Sequence, residues 1–218
     1  MEFRGKVFNF LGDSITQGIG ASGYDYKYTT VFGRKYGAEV NAYGISGTRF
    51  AKQKNHIETQ PLSFEEDFCK RYITMADADF IVVFGGTNDY GHGDAPIGEM
   101  SDRTPDTFYG ACHYLLRGLI EKYPLATIVI MTPLHRLSEG PGGENTVREN
   151  NPPLKAFVEI IREVAEYYSL PVLDLYKMSG LNPEIPVIKE LYMPDGLHPS
   201  DRGHEKIADM LASFIKTL

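Results

Sequence analysis

Five short, mainly apolar runs along the chain read as apolar on both faces rather than as strictly alternating. They cover 7–11, 39–43, 80–84, 127–132 and 172–175. Strands buried on both faces read this way, and such strands belong to parallel sheets covered by helices on each side. Between them the spacing turns helical. Phe108, Ala111, Cys112, Leu115 and Leu119 recur at three and four behind Thr104-Pro105-Asp106, which offers an N-cap and a first-turn proline. Pro153 opens a second helix with Leu154, Phe157, Val158, Ile161, Val164, Ala165 and Tyr168 on one face. A last helix follows Pro199-Ser200 and carries Ile207, Met210, Leu211, Phe214 and Ile215. Ser63-Phe-Glu-Glu66 fits a capping box, so a further helix is expected there, with Glu65-Glu66-Asp67 on a solvated face. Strands alternating with helices imply right-handed crossovers and a three-layer α/β fold with a five-stranded parallel sheet.

Composition narrows the picture. The 218 residues contain no linker, internal repeat or low-complexity tract, so one domain over 1–218 is expected. A formal charge of −7 argues against a nucleic-acid partner, which would need a basic face. No apolar run approaches the roughly 20 residues of a membrane span. Met1-Glu-Phe-Arg-Gly-Lys enters the first strand at once, with no signal-peptide pattern, which points to a cytoplasmic protein. The two cysteines, Cys69 and Cys112, lie in helical patterns without metal-ligand spacing and read as reduced thiols. Nothing in the sequence indicates an oligomer.

In open α/β sheets the ligand site lies beyond the C-terminal strand ends. Four segments fall there: Gly12-Asp13-Ser14 after the first strand, Gly44-Ile-Ser-Gly47 after the second, Gly85-Gly86-Thr87-Asn88-Asp89 after the third and Pro133-Leu134-His135 after the fourth. Asp195-Gly-Leu-His198 follows the fifth after a longer excursion. A serine at a strand end, a histidine to take its proton and a carboxylate to orient that histidine are the parts of nucleophilic acyl transfer. No Cys/His cluster or His-Glu-x-x-His suggests zinc, and no cofactor motif is present.

These blocks together resemble the SGNH hydrolases, the GDSL-like esterase and lipase superfamily. Gly12-Asp13-Ser14-Ile15-Thr16-Gln17-Gly18 is similar to its first block, Gly44-Ile45-Ser46-Gly47 to its second, Gly85-Gly86-Thr87-Asn88-Asp89 to its third and Asp195-Gly196-Leu197-His198-Pro199 to its last. The resemblance implies a flavodoxin-like fold and a serine esterase. Ser14 would be the nucleophile, His198 the base and Asp195 its partner. The oxyanion donors would be the Ser14 and Gly47 N–H groups and the Asn88 amide.

Other readings coexist with this one. Ser14 alone also fits a helix N-cap. Asp13 and Asp89 read as turn-stabilising carboxylates. His135 and Tyr90 are candidate substrate contacts, whereas Tyr24, Tyr26 and Tyr28 read more simply as packing. The substrate expected is a small acyl ester, above all an O-acetyl group on a carbohydrate, with a lysophospholipid or short-chain lipid ester as the alternative. In a different class stands a metal-dependent phosphoesterase using Asp13, Asn88, Asp89, Asp195 and His198 as ligands, and in a third a binding module without activity. The glycine-rich 134–153 segment is the strongest candidate for setting selectivity.

Overall fold

The computed structural model describes residues 2–55, 62–144, 148 and 150–218. Its centre is an all-parallel sheet of β1 (Val7–Gly12), β2 (Glu39–Gly44), β3 (Phe80–Phe84), β4 (Thr127–Met131) and β5 (Val172–Leu173), in the order β2-β1-β3-β4-β5. Around it run α1 (Ser14–Gln17), α2 (Tyr28–Tyr36), α3 (Phe68–Arg71), α4 (Thr87–His92), α5 (Phe108–Lys122), α6 (Leu154–Tyr167), α7 (Leu175–Met178), α8 (Pro186–Tyr192) and α9 (Asp201–Ile215). The direction of winding reverses between β1 and β3, which opens a crevice at their carboxyl ends.

Alternation within each strand feeds two cores. Phe8 and Phe10, Val82 and Phe84, and Val129 and Met131 pack toward α2 and α9. Leu11, Ile81 and Val83, and Ile128 and Ile130 pack toward α5 and α6. Both faces of β1, β3 and β4 are covered, which is why those runs are apolar on both sides, whereas the edge strand β2 departs from the expectation, alternating with Glu39 and Asn41 and staying only partly buried. Buried Asn9 is the exception; its Oδ1 accepts from Asn41 Nδ2 at 2.9 Å across the β1–β2 pair. No helix among the described residues is long and apolar enough to cross a membrane.

Several boundaries differ from the expected ones. The helix expected behind Thr104 starts at Phe108, because Thr107 is the residue whose hydroxyl accepts from the Gly110 N–H at 3.0 Å. No α-helix starts at Ser63. A 3-10 turn covers Leu62–Glu65, and α3 begins only where Asp67 accepts from the Lys70 N–H at 2.9 Å. Asp67 is accordingly buried, not part of a solvated face. The fourth and fifth strands stop short of the expected 132 and 175. Asp174 leaves the sheet to cap α7, accepting from the Lys177 N–H at 3.1 Å and from the Thr132 hydroxyl at 3.1 Å.

Candidate active site

Strand β1 ends at Gly12, where a Cβ atom would fall 1.9 Å from Thr16 Oγ1. Only glycine lets the chain turn that tightly into α1. Asp13 then caps α1, its Oδ1 accepting from the Ile15 N–H at 3.0 Å. Ser14 is the first residue of α1, so its own N–H has no intrahelical acceptor.

At the far end of the chain a turn brings the second half of the site over this point. Asp195 Oδ1 accepts from the N–H groups of Leu197, at 2.8 Å, and His198, at 2.7 Å. These bonds fix the carboxylate so that Oδ2 lies 2.7 Å from His198 Nδ1. The opposite ring nitrogen, Nε2, lies 2.9 Å from Ser14 Oγ. Burial acts to raise the Asp195 carboxyl, but the two backbone donors and the His198 ring outweigh it and hold the group below the usual aspartate range. An ionised acid, an imidazole and a hydroxyl therefore stand in one hydrogen-bonded line, able to move the serine proton onto the ring.

The loop after β2 borders the same point. Gly47 has a φ of +75°, a left-handed conformation that favours glycine. Thr48, buried behind it, accepts from the Asn88 amide, Nδ2 to backbone oxygen, at 3.0 Å. Asn88 lies in the first turn of α4 and is itself buried. Ser14, Gly47, Asn88, Asp195 and His198 are thus carried on the carboxyl ends of β1, β2 and β3 and on the turn before α9.

Two buried acids have structural partners. Asp89 accepts from the Phe50 and Ala51 N–H groups at 2.9 and 3.0 Å, and burial raises its carboxyl to about 6. Burial raises Asp13 to about 7, opposed by the Ile15 N–H and the Arg71 charge. Both act as the turn-stabilising carboxylates that their positions suggest.

Arg71 has no signal in the sequence, where Phe68-Cys-Lys-Arg71 carries no catalytic pattern. It is buried and donates from Nη2 to the Gly12 carbonyl at 3.0 Å and to Thr48 Oγ1 at 2.8 Å, and from Nη1 to the Tyr43 carbonyl at 2.5 Å. One guanidinium thereby ties together the ends of β1 and β2 and the loop beyond Gly47. His92 also carried no signal of its own, although its four-residue spacing from Asn88 places both on one helix face.

The two expected substrate contacts fare differently. His135 is half-buried. It stacks on Tyr176 with ring centroids 3.8 Å apart, its Nδ1 lies 2.8 Å from Glu139 Oε1, and it lines a narrow crevice shared with Ile15 and Leu197. Tyr90 corrects the expectation. It is wholly buried, and its hydroxyl donates to the backbone oxygens of Gly140, at 2.9 Å, and Ser138. Two residues beyond Asn88 on a helix is nearly the opposite face, so Tyr90 anchors a loop instead of facing a ligand. That loop, 134–153, is further held by Asn151 Nδ2 donating to the Tyr90 carbonyl at 3.0 Å and Arg148 Nη2 to the Ala95 carbonyl at 2.6 Å. Residues 145–147 and 149 lie outside the described ones. Tyr24 is exposed and Tyr26 half-exposed, whereas Tyr28 is buried with its hydroxyl 2.9 Å from Thr16 Oγ1.

Comparison with known proteins identifies the family. The model of the GDSL-like lipase/acylhydrolase family matches residues 10–206, and the chain belongs to that family. It is a carboxylic ester hydrolase. A GDSL lipase of Mycobacterium tuberculosis is 24% identical over 223 residues, spanning 99% of this chain and 84% of the relative. A Lactobacillus plantarum protein of solved structure shares 31% identity at a TM-score of 0.82, over 100% of this chain and 98% of its own. A lipase/acylhydrolase from Enterococcus faecalis has the same fold, at 23% identity and a TM-score of 0.61, over 97% and 96%.

Proposed function

We propose that the protein hydrolyses small acyl esters, acetyl esters foremost, through a covalent acyl-serine. Ser14 Oγ attacks the acyl carbon while its proton passes to His198 Nε2. Asp195 holds the ring in the tautomer whose Nε2 is a base and then stabilises the imidazolium. The carbonyl oxygen becomes negative, and the Ser14 N–H, the Gly47 N–H and the Asn88 amide donate to it. When the intermediate collapses, the C–O bond to the leaving group breaks and His198 returns the proton to the departing alkoxide. Water then attacks the acyl-serine by the same steps, releasing the acid and restoring the hydroxyl.

The observation that carries this reading is the 2.9 Å approach of His198 Nε2 to Ser14 Oγ, with Asp195 at 2.7 Å on the other nitrogen. The preference for short acyl groups, such as O-acetyl groups on a carbohydrate, rests on the 134–153 loop, which is strapped over α4 beside the Asn88-bearing turn. The test is direct. A fluorophosphonate should label Ser14 in intact protein, and Ser14→Ala should lose p-nitrophenyl acetate hydrolysis while keeping the melting temperature. Labelling elsewhere, or full activity in the variant, overturns the assignment. A series from acetyl to decanoyl esters, with acetylated xylose alongside, checks the acyl preference; faster turnover of the long esters would favour a lipid substrate instead.

A further inference from the structure

The Asn88 side chain has a planar amide whose two ends look alike in shape, so something must decide which end points at the substrate. Thr48 settles one side. Its backbone oxygen can only accept, and the atom 3.0 Å from it is therefore the amide nitrogen, Nδ2. The Asn88 oxygen, Oδ1, lies 3.2 Å from His92 Nε2. A carbonyl oxygen needs a donor, so His92 serves it only if the ring carries its proton on Nε2. Arg49 makes that so. Its Nη1 lies 3.1 Å from His92 Nδ1, and a guanidinium has donors only, which obliges Nδ1 to be the acceptor. The same Nη1 also donates to the His92 carbonyl at 3.1 Å, so the guanidinium is fixed relative to the ring.

We infer that His92, its tautomer set by Arg49, is a positioning residue for the oxyanion hole: it holds Asn88 so that one Nδ2 hydrogen goes to Thr48 and the second is left aimed at the substrate oxygen. Without His92, Oδ1 loses its donor and the amide is free to rotate, which misaligns a group whose value depends on preorganisation. The arrangement requires a neutral ring. Burial, followed by the adjoining Arg49 and Arg136 charges, pushes His92 down to about 4, so it stays neutral throughout the range in which a serine–histidine pair works. The i, i+4 spacing on α4 is what lets the two side chains meet.

The inference rests on Asn88 being an oxyanion donor, and the experiment separates the two. On the full chain, kcat and KM for p-nitrophenyl acetate are measured for Asn88→Ala, His92→Phe, His92→Gln and the double variant Asn88→Ala/His92→Phe. Asn88→Ala should lower kcat on the order of a hundredfold. His92→Phe keeps the ring but has no donor; it should lower kcat about tenfold with KM little changed. His92→Gln, which can donate from its amide, should recover most of that loss. The double variant should be no slower than Asn88→Ala, since there is then no amide to orient. A full kcat in His92→Phe, or losses that multiply in the double variant, overturns the positioning role while leaving Asn88 as a donor; an unimpaired Asn88→Ala overturns both. A second readout uses unmutated protein. Long-range proton–nitrogen correlation spectra of histidine-labelled enzyme should show His92 as the neutral Nε2–H tautomer down to about pH 5. An Nδ1–H ring would refute the relay even if His92→Phe did not fold.

Discussion

Arg71 donates to the carbonyl of Gly12 at 3.0 Å, two residues before Ser14, although 59 positions separate them along the chain. The contact is buried, and the same side chain reaches Tyr43 and Thr48. It makes the turn that bears the serine and the loop that bears Gly47 one mechanical piece.

Arg71→Met should therefore cost more than a surface arginine. It leaves buried acceptors unpartnered and removes the cation that faces Asp13, a combination worth about 3 kcal/mol or more. Arg71→Lys should recover only part of this, because one ammonium cannot span three acceptors as the planar fork does. Urea denaturation measures the stability, and kcat reports whether the two pieces have separated. Equal stability of wild type and Arg71→Met would show the clamp to be idle.

Asp195→Asn should be at least as damaging as Asp195→Ala. The position of Oδ1 must accept from two N–H groups, so the new amide has to place its NH2 at Oδ2, against His198 Nδ1. A donor there forces the ring proton onto Nε2, which then faces the serine hydroxyl as a donor rather than a base. The expected fall in kcat is on the order of 10²–10⁴. An asparagine variant more active than the alanine one would mean that the amide flips or that Asp195 does not set the tautomer.

His204 should give the fold a measurable pH dependence. The side chain is buried, with Nδ1 accepting from the Tyr28 N–H at 3.2 Å and Nε2 lying 3.3 Å from the Ile19 carbonyl; burial pushes it down to about 4. The unfolded chain takes up this proton first as pH falls, so the stability it confers is whole above about 6.5 and drains away toward 4, about 3 kcal/mol in all. Asp13 opposes it: raised to about 7, it is protonated first in the folded state, so its share is lost as pH rises from about 4 to 7. Comparison with His204→Gln isolates the histidine. The stability gap between wild type and variant should shift toward the variant by about 3 kcal/mol between pH 7 and 4. A gap independent of pH contradicts this.

Tyr90→Phe removes the hydroxyl that holds the 138–140 stretch and leaves the ring packed against Phe157. The loss of stability should be small, about 1 kcal/mol. If the 134–153 loop borders the acyl pocket, the ratio of acetyl to hexanoyl ester turnover should fall in this variant. An unchanged ratio would place selectivity elsewhere.

The parts of this protein that sequence made legible are those with a period or a fixed offset. Both-face apolar strands announced the sheet, and the three-residue offset from Asp195 to His198 survives folding because one turn makes both the carboxylate's backbone bonds and its contact with the ring. What escaped was chemistry without a local pattern. Arg71 looks like any helix-surface cation until the sheet closes over it. His92 is meaningful only through the partner four residues back. Tyr90 follows Asn88 by two positions, and the helix turns it away into the core. Ser63 offered a plausible cap, but Asp67, four residues later, had the buried position from which to take a helix N–H.

The position of His198 directly before α9 has a consequence for how activity and folding are related. Ser14 opens α1 just behind β1, whereas His198 lies just ahead of α9, a helix that docks on α2 with Lys35 and Tyr36 bonded to Asp209. Displacement of that last helix would carry the imidazole away from the hydroxyl. A chain halted before residue 198 lacks both the imidazole and the α9 side chains Ile207, Leu211 and Ile215 that close the core over Phe8 and Phe10. Ester turnover in this protein should therefore depend on how firmly α9 is seated, not only on the strand ends that carry the serine.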